Sequence, residues 1–342
     1  MVGNEPPRTS FAVLGAGSWG TALAMQMARA GTPVSLWGRD AEKMAEMART
    51  RSNPYYLPGF HFPDGLRVEP DLARAVHDAD ALLVVSPSHA FADIVRRIQP
   101  LRDTQPVAWA SKGFEPGTGR FLHQVAEDIL GPKTPIALVT GPSFAKDVAA
   151  GKPTLVTVAS SHPDFARQVA HALNNERFRV YYSSDVVGAE LGGAVKNVLA
   201  LATGICDGMQ LGDNTRAAIL TRGMAEMMRL GKAMGARAET LMGLSGLGDL
   251  VLTCTGDLSR NRRMGLALGQ GKSVAEAQAE IGQVVEGIGT AEEVVRLADK
   301  YQVSMPISRH VLKVIQGEMT PQQAVEALMR RDPKPEFDEL DS

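Results

Sequence analysis

Through the first half of the chain, short apolar runs alternate with stretches of helical spacing. The runs are Phe11-Ala-Val-Leu14, Pro33-Val-Ser-Leu-Trp37, Arg67-Val-Glu69, Ala81-Leu-Leu-Val-Val85, Pro106-Val-Ala-Trp-Ala110, Pro135-Ile-Ala-Leu-Val139, Thr154-Leu-Val-Thr-Val158 and Phe178-Arg-Val-Tyr-Tyr182. Between them lie TALAMQMARAG after Gly20 and the segments 89–98 and 120–130, where apolar residues recur at the helical period. Such alternation predicts an α/β unit with a parallel, doubly wound sheet and helices on both faces. The pattern changes near Val186. Beyond it no run reads as a strand, and Ala-, Leu-, Met- and Glu-rich segments predict helices over 189–206, 215–234, 260–268, 273–279, 290–301 and 321–329. The pattern divides the chain into an α/β unit over 1–187, an all-α unit over 188–331 and a tail over 332–342. The tail is charged, carries two prolines and is expected to be mobile.

The first run leads directly into Gly15-Ala16-Gly17-Ser18-Trp19-Gly20, a G-x-G-x-x-G turn opening a helix. Gly15 and Gly17 allow a tight turn and close approach of backbone N–H groups to a pyrophosphate. Gly20 lets the helix pack on the strand, with its positive end aimed at the phosphates. A second strand follows Gly31, as a βαβ unit requires, so the N-terminal unit reads as Rossmann-type. At the end of that strand stands Gly38-Arg39-Asp40. Arg39 offers a cation for a 2′-phosphate and favours NADP, while Asp40, one place late for a ribose 2′-OH ligand, keeps NAD open. The expected cofactor is NADP(H) and/or NAD(H). A strand–helix turn without a ligand, its arginine merely exposed, is the competing reading. Strand, helix and second strand in this order oppose it.

Bulk properties narrow the function class. A length of 342 residues fits two ordinary domains, and 44% hydrophobic with 22% charged residues is normal for a globular protein. The net charge of −2 argues against general nucleic-acid or anionic-membrane binding, so basic residues that matter should sit in local pockets. Cys206 and Cys254 are the only cysteines, both in apolar neighbourhoods, which fits a reducing compartment and no disulfide framework. The opening MVGNEPPRTS has no apolar h-region, and the apolar run 198–206 is far too short to span a bilayer. A cytoplasmic protein, not embedded in a membrane, is expected.

Candidate chemistry lies at strand ends and in the helical half. Ser86-Pro87-Ser88-His89, Ser111-Lys112-Gly113 and Gly141-Pro142-Ser143 follow the fourth, fifth and sixth runs, where ligands of such sheets bind. Lys112 faces either an anionic substrate or plain solvent. Further on, Lys196 and Asn197 sit among small and apolar residues just after Gly192 and Gly193. Two glycines inside a helix cost roughly 1 kcal/mol each relative to alanine, which makes sense where backbone or ligand must approach closely. Lys196 is open to two readings: an acid–base group with a lowered pKa, or a lysine whose charged end snorkels to water. Ser259 is a good N-cap ahead of Arg260-Asn261-Arg262-Arg263, which suits a phosphate site, a solvated basic turn or a nucleic-acid patch. The acidic balance and the lack of interleaved aromatics weigh against nucleic acid.

Other chemistries fail on their motifs. Gly271-Lys272-Ser273 resembles the end of a P-loop, but Leu266 stands where its first glycine must be. Gly141-Pro-Ser143-Phe-Ala145 lacks the last glycine of a nucleophile elbow. The seven histidines form no H-x-x-x-H pair, so no metal site is expected.

Taken together, six segments closely resemble the bacterial NAD(P)-dependent sn-glycerol-3-phosphate dehydrogenases over nearly the whole chain. They are VLGAGSWGTALA at 13–24, SKGFE at 111–115, GPSFA at 141–145, GGAVKNVLALATGICDG at 192–208, GLGDLVLTCTGDLSRNRR at 246–263 and VVEGIGTA at 284–291. The resemblance implies a helical domain like that of 6-phosphogluconate dehydrogenase beside the Rossmann-type one, with the site between them. It implies reversible hydride transfer between NAD(P)H and dihydroxyacetone phosphate, giving sn-glycerol 3-phosphate for glycerophospholipid synthesis, and a homodimer. By motif, Lys196 looks like the proton donor and acceptor. Lys112, Gly141, Ser143, Lys196, Asp249, Ser259, Arg260 and Asn261 look like substrate contacts. Gly15, Gly17, Ser18, Trp19, Gly20, Arg39, Lys112, Ala145, Arg260, Val284 and Glu286 look like cofactor contacts. The tail has no recognisable family counterpart. Two rivals remain open here: a hydroxy-acid or sugar-acid dehydrogenase of the same architecture, and an NADPH-binding sensor without turnover. The joint presence of Lys196, Asp249 and Arg260 argues against the sensor.

Overall fold

The computed structural model describes residues 9–333 and 335–336. Positions 334 and 337–342 of the expected tail lie outside the described residues. The α/β half contains β1 (Phe11–Leu14), α1 (Ser18–Arg29), β2 (Val34–Trp37), α2 (Ala41–Thr50), β3 (Ser52–Asn53), β4 (Leu57–His61) and β5 (Leu66–Val68). It continues with α3 (Leu72–His77), β6 (Ala81–Val84), α4 (Ser88–Ile98), β7 (Val107–Trp109), α5 (Leu122–Leu130) and β8 (Ile136–Thr140). It ends with α6 (Ala145–Ala149), β9 (Thr154–Ala159), α7 (Pro163–Leu173) and β10 (Phe178–Ser183). The remainder is helical: α8 (Val186–Gly208), α9 (Asp213–Ala233), α10 (Ala238–Met242), a π-helical turn (Leu244–Gly248) and α11 (Asp249–Thr255). After them come α12 (Arg260–Gly269), α13 (Val274–Ile281), α14 (Glu286–Lys300), α15 (Pro306–Ile315) and α16 (Pro321–Met329).

Eight strands form one sheet in the order β10-β9-β8-β7-β6-β1-β2-β5. β1 pairs in parallel with β2 and β6, matching Phe11 to Val34 and to Ala81. The order reverses beside β1, which opens a crevice at the carboxyl ends of the strands. The sheet is not parallel throughout, as the alternation predicts. β9 runs antiparallel to β8, with Thr140 opposite Thr157, and β10 is parallel to β9. The connection explains this. The five residues of α6 span only about 7.5 Å. The rest of the 141–153 link is loop and turn, so the crossover helix that ordinarily joins a parallel pair is reduced to little more than one turn. The chain therefore re-enters from the edge it left. The β3–β4 hairpin is also absent from the sequence pattern, because β3 has two residues and β4 contains Pro58 and Gly59.

β1 is buried on both faces: Phe11 and Val13 join one hydrophobic cluster, Ala12 and Leu14 the other. This is what an uninterrupted apolar run requires. A third cluster surrounds α8 and takes in Phe114 and Phe121 from the segment after β7, so that segment inserts its aromatics into the helical half. α8 is long and apolar enough to cross a membrane, with a mean hydropathy of 1.3. It is instead a core helix, 89% of its apolar window lying inside the fold.

Candidate active site

The glycine turn has the form of an anion cradle. Gly15 takes φ +134°, and a Cβ there would lie 2.0 Å from the carbonyl oxygen of Val85. Gly17 is the N-cap of α1 with no side-chain cap, and nothing lies within 4 Å of where its Cβ would be. The first N–H groups of α1 therefore face open space, where a pyrophosphate fits. Trp19 packs partly on the core with its indole N–H buried and without a partner. The Ser18 hydroxyl donates to the Tyr56 carbonyl at 2.6 Å. Arg39 stands exposed at the end of β2. Asp40 instead caps α2, accepting from the Lys43 backbone N–H at 3.1 Å.

Across the crevice, two lysines share one carboxylate. Lys196, on α8 and only 6% exposed, donates to Asp249 Oδ1 at 2.6 Å and lies 3.0 Å from Thr253 Oγ1. Lys112, after β7, donates to Asp249 Oδ2 at 2.5 Å and to the Gly141 carbonyl at 3.1 Å. Asp249 opens α11 straight after the π-helical turn, a distortion that aims its side chain at α8. Gly192 permits the approach, since a Cβ there would be 2.5 Å from the Ser245 carbonyl oxygen. Lys196 lies one turn further along α8, level with Asp249.

Burial pushes the Lys196 ammonium down from the ordinary 10.5 to about 8; Asp249 pulls against this, while the Lys112 charge adds to it. Burial alone would raise Asp249, but the two ammonium groups outweigh it and hold the carboxyl below its usual range. The result is an amine that can exchange a proton near neutral pH, held by an acceptor that stays ionised. Among the described residues, no group of three or more His, Cys, Asp or Glu side chains converges as metal ligands would.

The other expected substrate contacts stand after β8 and at the start of α12. Ser143 Oγ donates to the Gly141 carbonyl at 2.9 Å. Ser259 caps α12 by accepting from Arg262 N at 3.2 Å. Asn261 donates to Asn197 Oδ1 at 2.8 Å and accepts from Gly287 N at 2.9 Å, tying α12 to α8 and α14. Arg260 is exposed at the start of α12, its charge facing Glu286. Glu286 accepts from Ser88 Oγ at 2.8 Å, and burial raises its carboxyl above the ordinary value. No hydrogen bond or ion pair among the described residues joins Ser18, Trp19, Arg39, Ala145 or Val284 to the lysine cluster. They stand on the glycine turn, the end of β2, the start of α6 and the turn before α14.

Two functional contacts were missed by sequence reasoning. Thr253 lies four residues after Asp249, so both share one face of α11, a signal hidden because no helix is predicted over 249–255. Glu293 accepts from Gly117 N at 2.6 Å and so anchors the segment that carries Lys112 to α14. Only the fold brings these two together.

Comparison with known proteins agrees over both halves. Sequence models described as the N-terminus and the C-terminus of NAD-dependent glycerol-3-phosphate dehydrogenase match residues 10–166 and 185–326. The chain is 58% identical over 328 residues to "Glycerol-3-phosphate dehydrogenase [NAD(P)+]" of Stenotrophomonas maltophilia, covering 96% of each. Its fold is similar to the crystal structure of glycerol-3-phosphate dehydrogenase from Coxiella burnetii, with TM-score 0.91 and 46% identity over 95% of this chain and 100% of that one. The enzyme of Saccharomyces cerevisiae gives TM-score 0.81 at 26% identity, over 93% of this chain and 99% of that one.

Proposed function

The chain belongs to the NAD-dependent glycerol-3-phosphate dehydrogenase family, and from that premise we propose that it reduces dihydroxyacetone phosphate reversibly to sn-glycerol 3-phosphate with Lys196 as the proton-transferring group. It is an NAD(P)-dependent oxidoreductase. The observation that carries the reading is the buried Lys196 amine, brought to about 8 and bonded to Asp249 at 2.6 Å. The nicotinamide cofactor, when bound, supplies or accepts the hydride. As the ketone is reduced, negative charge builds on its C2 oxygen; the Lys196 ammonium stabilises that charge and then passes its proton to the oxygen. In the reverse direction the neutral amine takes the proton of the C2 hydroxyl. Asp249 holds both lysines in place, and Arg260 binds the substrate phosphate through its planar fork. Residues 1–187 serve as the dinucleotide unit and 188–331 as the catalytic one. The enzyme works in the cytoplasm as a homodimer, binds no nucleic acid, and its product enters glycerophospholipid synthesis.

Addition of dihydroxyacetone phosphate to purified protein and NADPH should abolish the NADPH absorbance. A chain that ignores this substrate but turns over a carboxylate-bearing hydroxy acid would sink the assignment. Arg260→Ala should raise KM for dihydroxyacetone phosphate by about 10- to 100-fold, since a hydrogen bond to a charged group contributes about 1.5–3 kcal/mol. An unchanged KM would place the phosphate elsewhere. Arg39→Asp should weaken NADPH far more than NADH in a binding titration; equal losses would contradict a 2′-phosphate at Arg39.

A further inference from the structure

We propose that Asp207 is a positioning residue for the substrate phosphate: through Arg262 it fixes the first turn of α12, and with it the place of Arg260 and Asn261 relative to Lys196. The inference rests on the reading of Arg260 as the phosphate ligand and names what holds that ligand in place.

Asp207 lies on the last turn of α8, with only 7% of its side chain exposed. A carboxylate there faces the negative end of the helix dipole and needs cations. Each oxygen has its own. Oδ1 accepts from Arg216 Nε at 2.8 Å, with Nη2 2.6 Å away. Oδ2 accepts from Arg262 Nε at 2.8 Å, with Nη2 at the same distance. Arg216 belongs to α9 and Arg262 to α12, so one carboxylate ties three helices together. The remaining arm of Arg262 donates from Nη1 to Asp257 Oδ1 at 2.8 Å, in the turn before α12. A planar guanidinium held on both sides in this way has a single orientation.

The backbone of Arg262 belongs to the same corner. Its N–H donates to the Ser259 cap at 3.2 Å, and a Cβ on Gly204 of α8 would stand 2.1 Å from its carbonyl oxygen. Further along α12, a Cβ on Gly265 would stand 2.1 Å from the Leu201 carbonyl oxygen, so α12 lies on α8 with no room to slide. Arg260 and Asn261 immediately precede Arg262, and Asn261 reaches Asn197, the neighbour of Lys196. The separation between the amine and the Arg260 backbone is therefore set by how α12 sits on α8. Asp207 lies about 16 Å beyond Lys196 along the helix, too far to touch a substrate held there. A buried ion network is a weak source of stability, because desolvation offsets much of its attraction. What this one supplies is a fixed geometry for the start of α12.

Kinetics and melting curves of the full chain and of three variants test this: Asp207→Asn, Arg260→Ala and the double variant. Asp207→Asn keeps the shape, removes the charge and leaves two guanidinium groups facing each other. It should raise KM for dihydroxyacetone phosphate about tenfold, with kcat and NADPH affinity within about twofold of the wild type, as a misplaced binding group does. On top of Arg260→Ala it should add less than about twofold, since the group it positions is gone. Arg262→Lys keeps the charge but not the planar fork, so it should raise KM by a smaller factor and decides the matter where Asp207→Asn does not fold. A lower melting temperature with KM unmoved would make the network purely structural and overturn the proposal. So would KM effects that multiply in the double variant. An unchanged KM in Arg260→Ala alone would instead sink the phosphate reading, and this proposal with it.

Discussion

Lys196→Ala lowers kcat for dihydroxyacetone phosphate reduction by about 10²–10⁴-fold while NADPH affinity stays within about twofold of the wild type, the range set by loss of one general acid. That range corresponds to about 3–5.5 kcal/mol of barrier. The separation of the two effects follows from where the amine is anchored. Lys196 bonds to Asp249 and Thr253 in the helical half, whereas the glycine turn is built from β1 and α1. Asp249 keeps Lys112 as a partner in the variant, so its charge is not left bare. Steady-state kinetics together with calorimetric NADPH titration check both halves of the expectation. Turnover near the wild-type level would remove Lys196 from the proton-transfer role.

Much of the architecture could be read directly from the pattern. The doubly apolar β1 run and the glycine turn after it specify a buried central strand and an open α1 N-terminus, because both depend on local chain chemistry. The direction of β9 was not legible. It depends on how far α6 reaches, and Thr154-Leu-Val-Thr-Val158 looks the same in either orientation. No helix is predicted over 244–255, since the glycines there lower helix propensity. In the fold an irregular turn there starts α11 and aims Asp249 at α8. Lys196 alone was ambiguous for a similar reason: an amine among apolar residues either snorkels or is held, and only a partner from a distant segment decides which. The family motifs named Lys112, Lys196 and Asp249; the fold adds that a single carboxylate answers both ammonium groups.

That sharing sets the pH dependence, which Asp249→Asn should shift. Reduction needs the Lys196 ammonium, so kcat/KM for dihydroxyacetone phosphate should be level below about 8 and fall above it. Oxidation of sn-glycerol 3-phosphate needs the neutral amine and should rise towards the same point. The Asp249 charge raises the Lys196 value, whereas burial and the Lys112 charge lower it. Removing the carboxylate deletes the one raising influence, so both inflections move to lower pH. At pH 8 the variant therefore loses more reduction than at pH 6. Stability must follow the same sign. Lys196 releases its proton more easily folded than unfolded, where 10.5 applies, so between about 8 and 10.5 the unfolded chain binds more protons and stability rises with pH. In Asp249→Asn that window opens earlier, because the buried Lys196 ammonium, beside the Lys112 charge and without its carboxylate, is destabilising by several kcal/mol until it deprotonates. Paired pH–rate profiles in both directions, with melting curves at pH 6 and pH 9, measure these shifts. Inflections that stay where the wild type has them would mean that Asp249 positions Lys196 without setting its proton affinity.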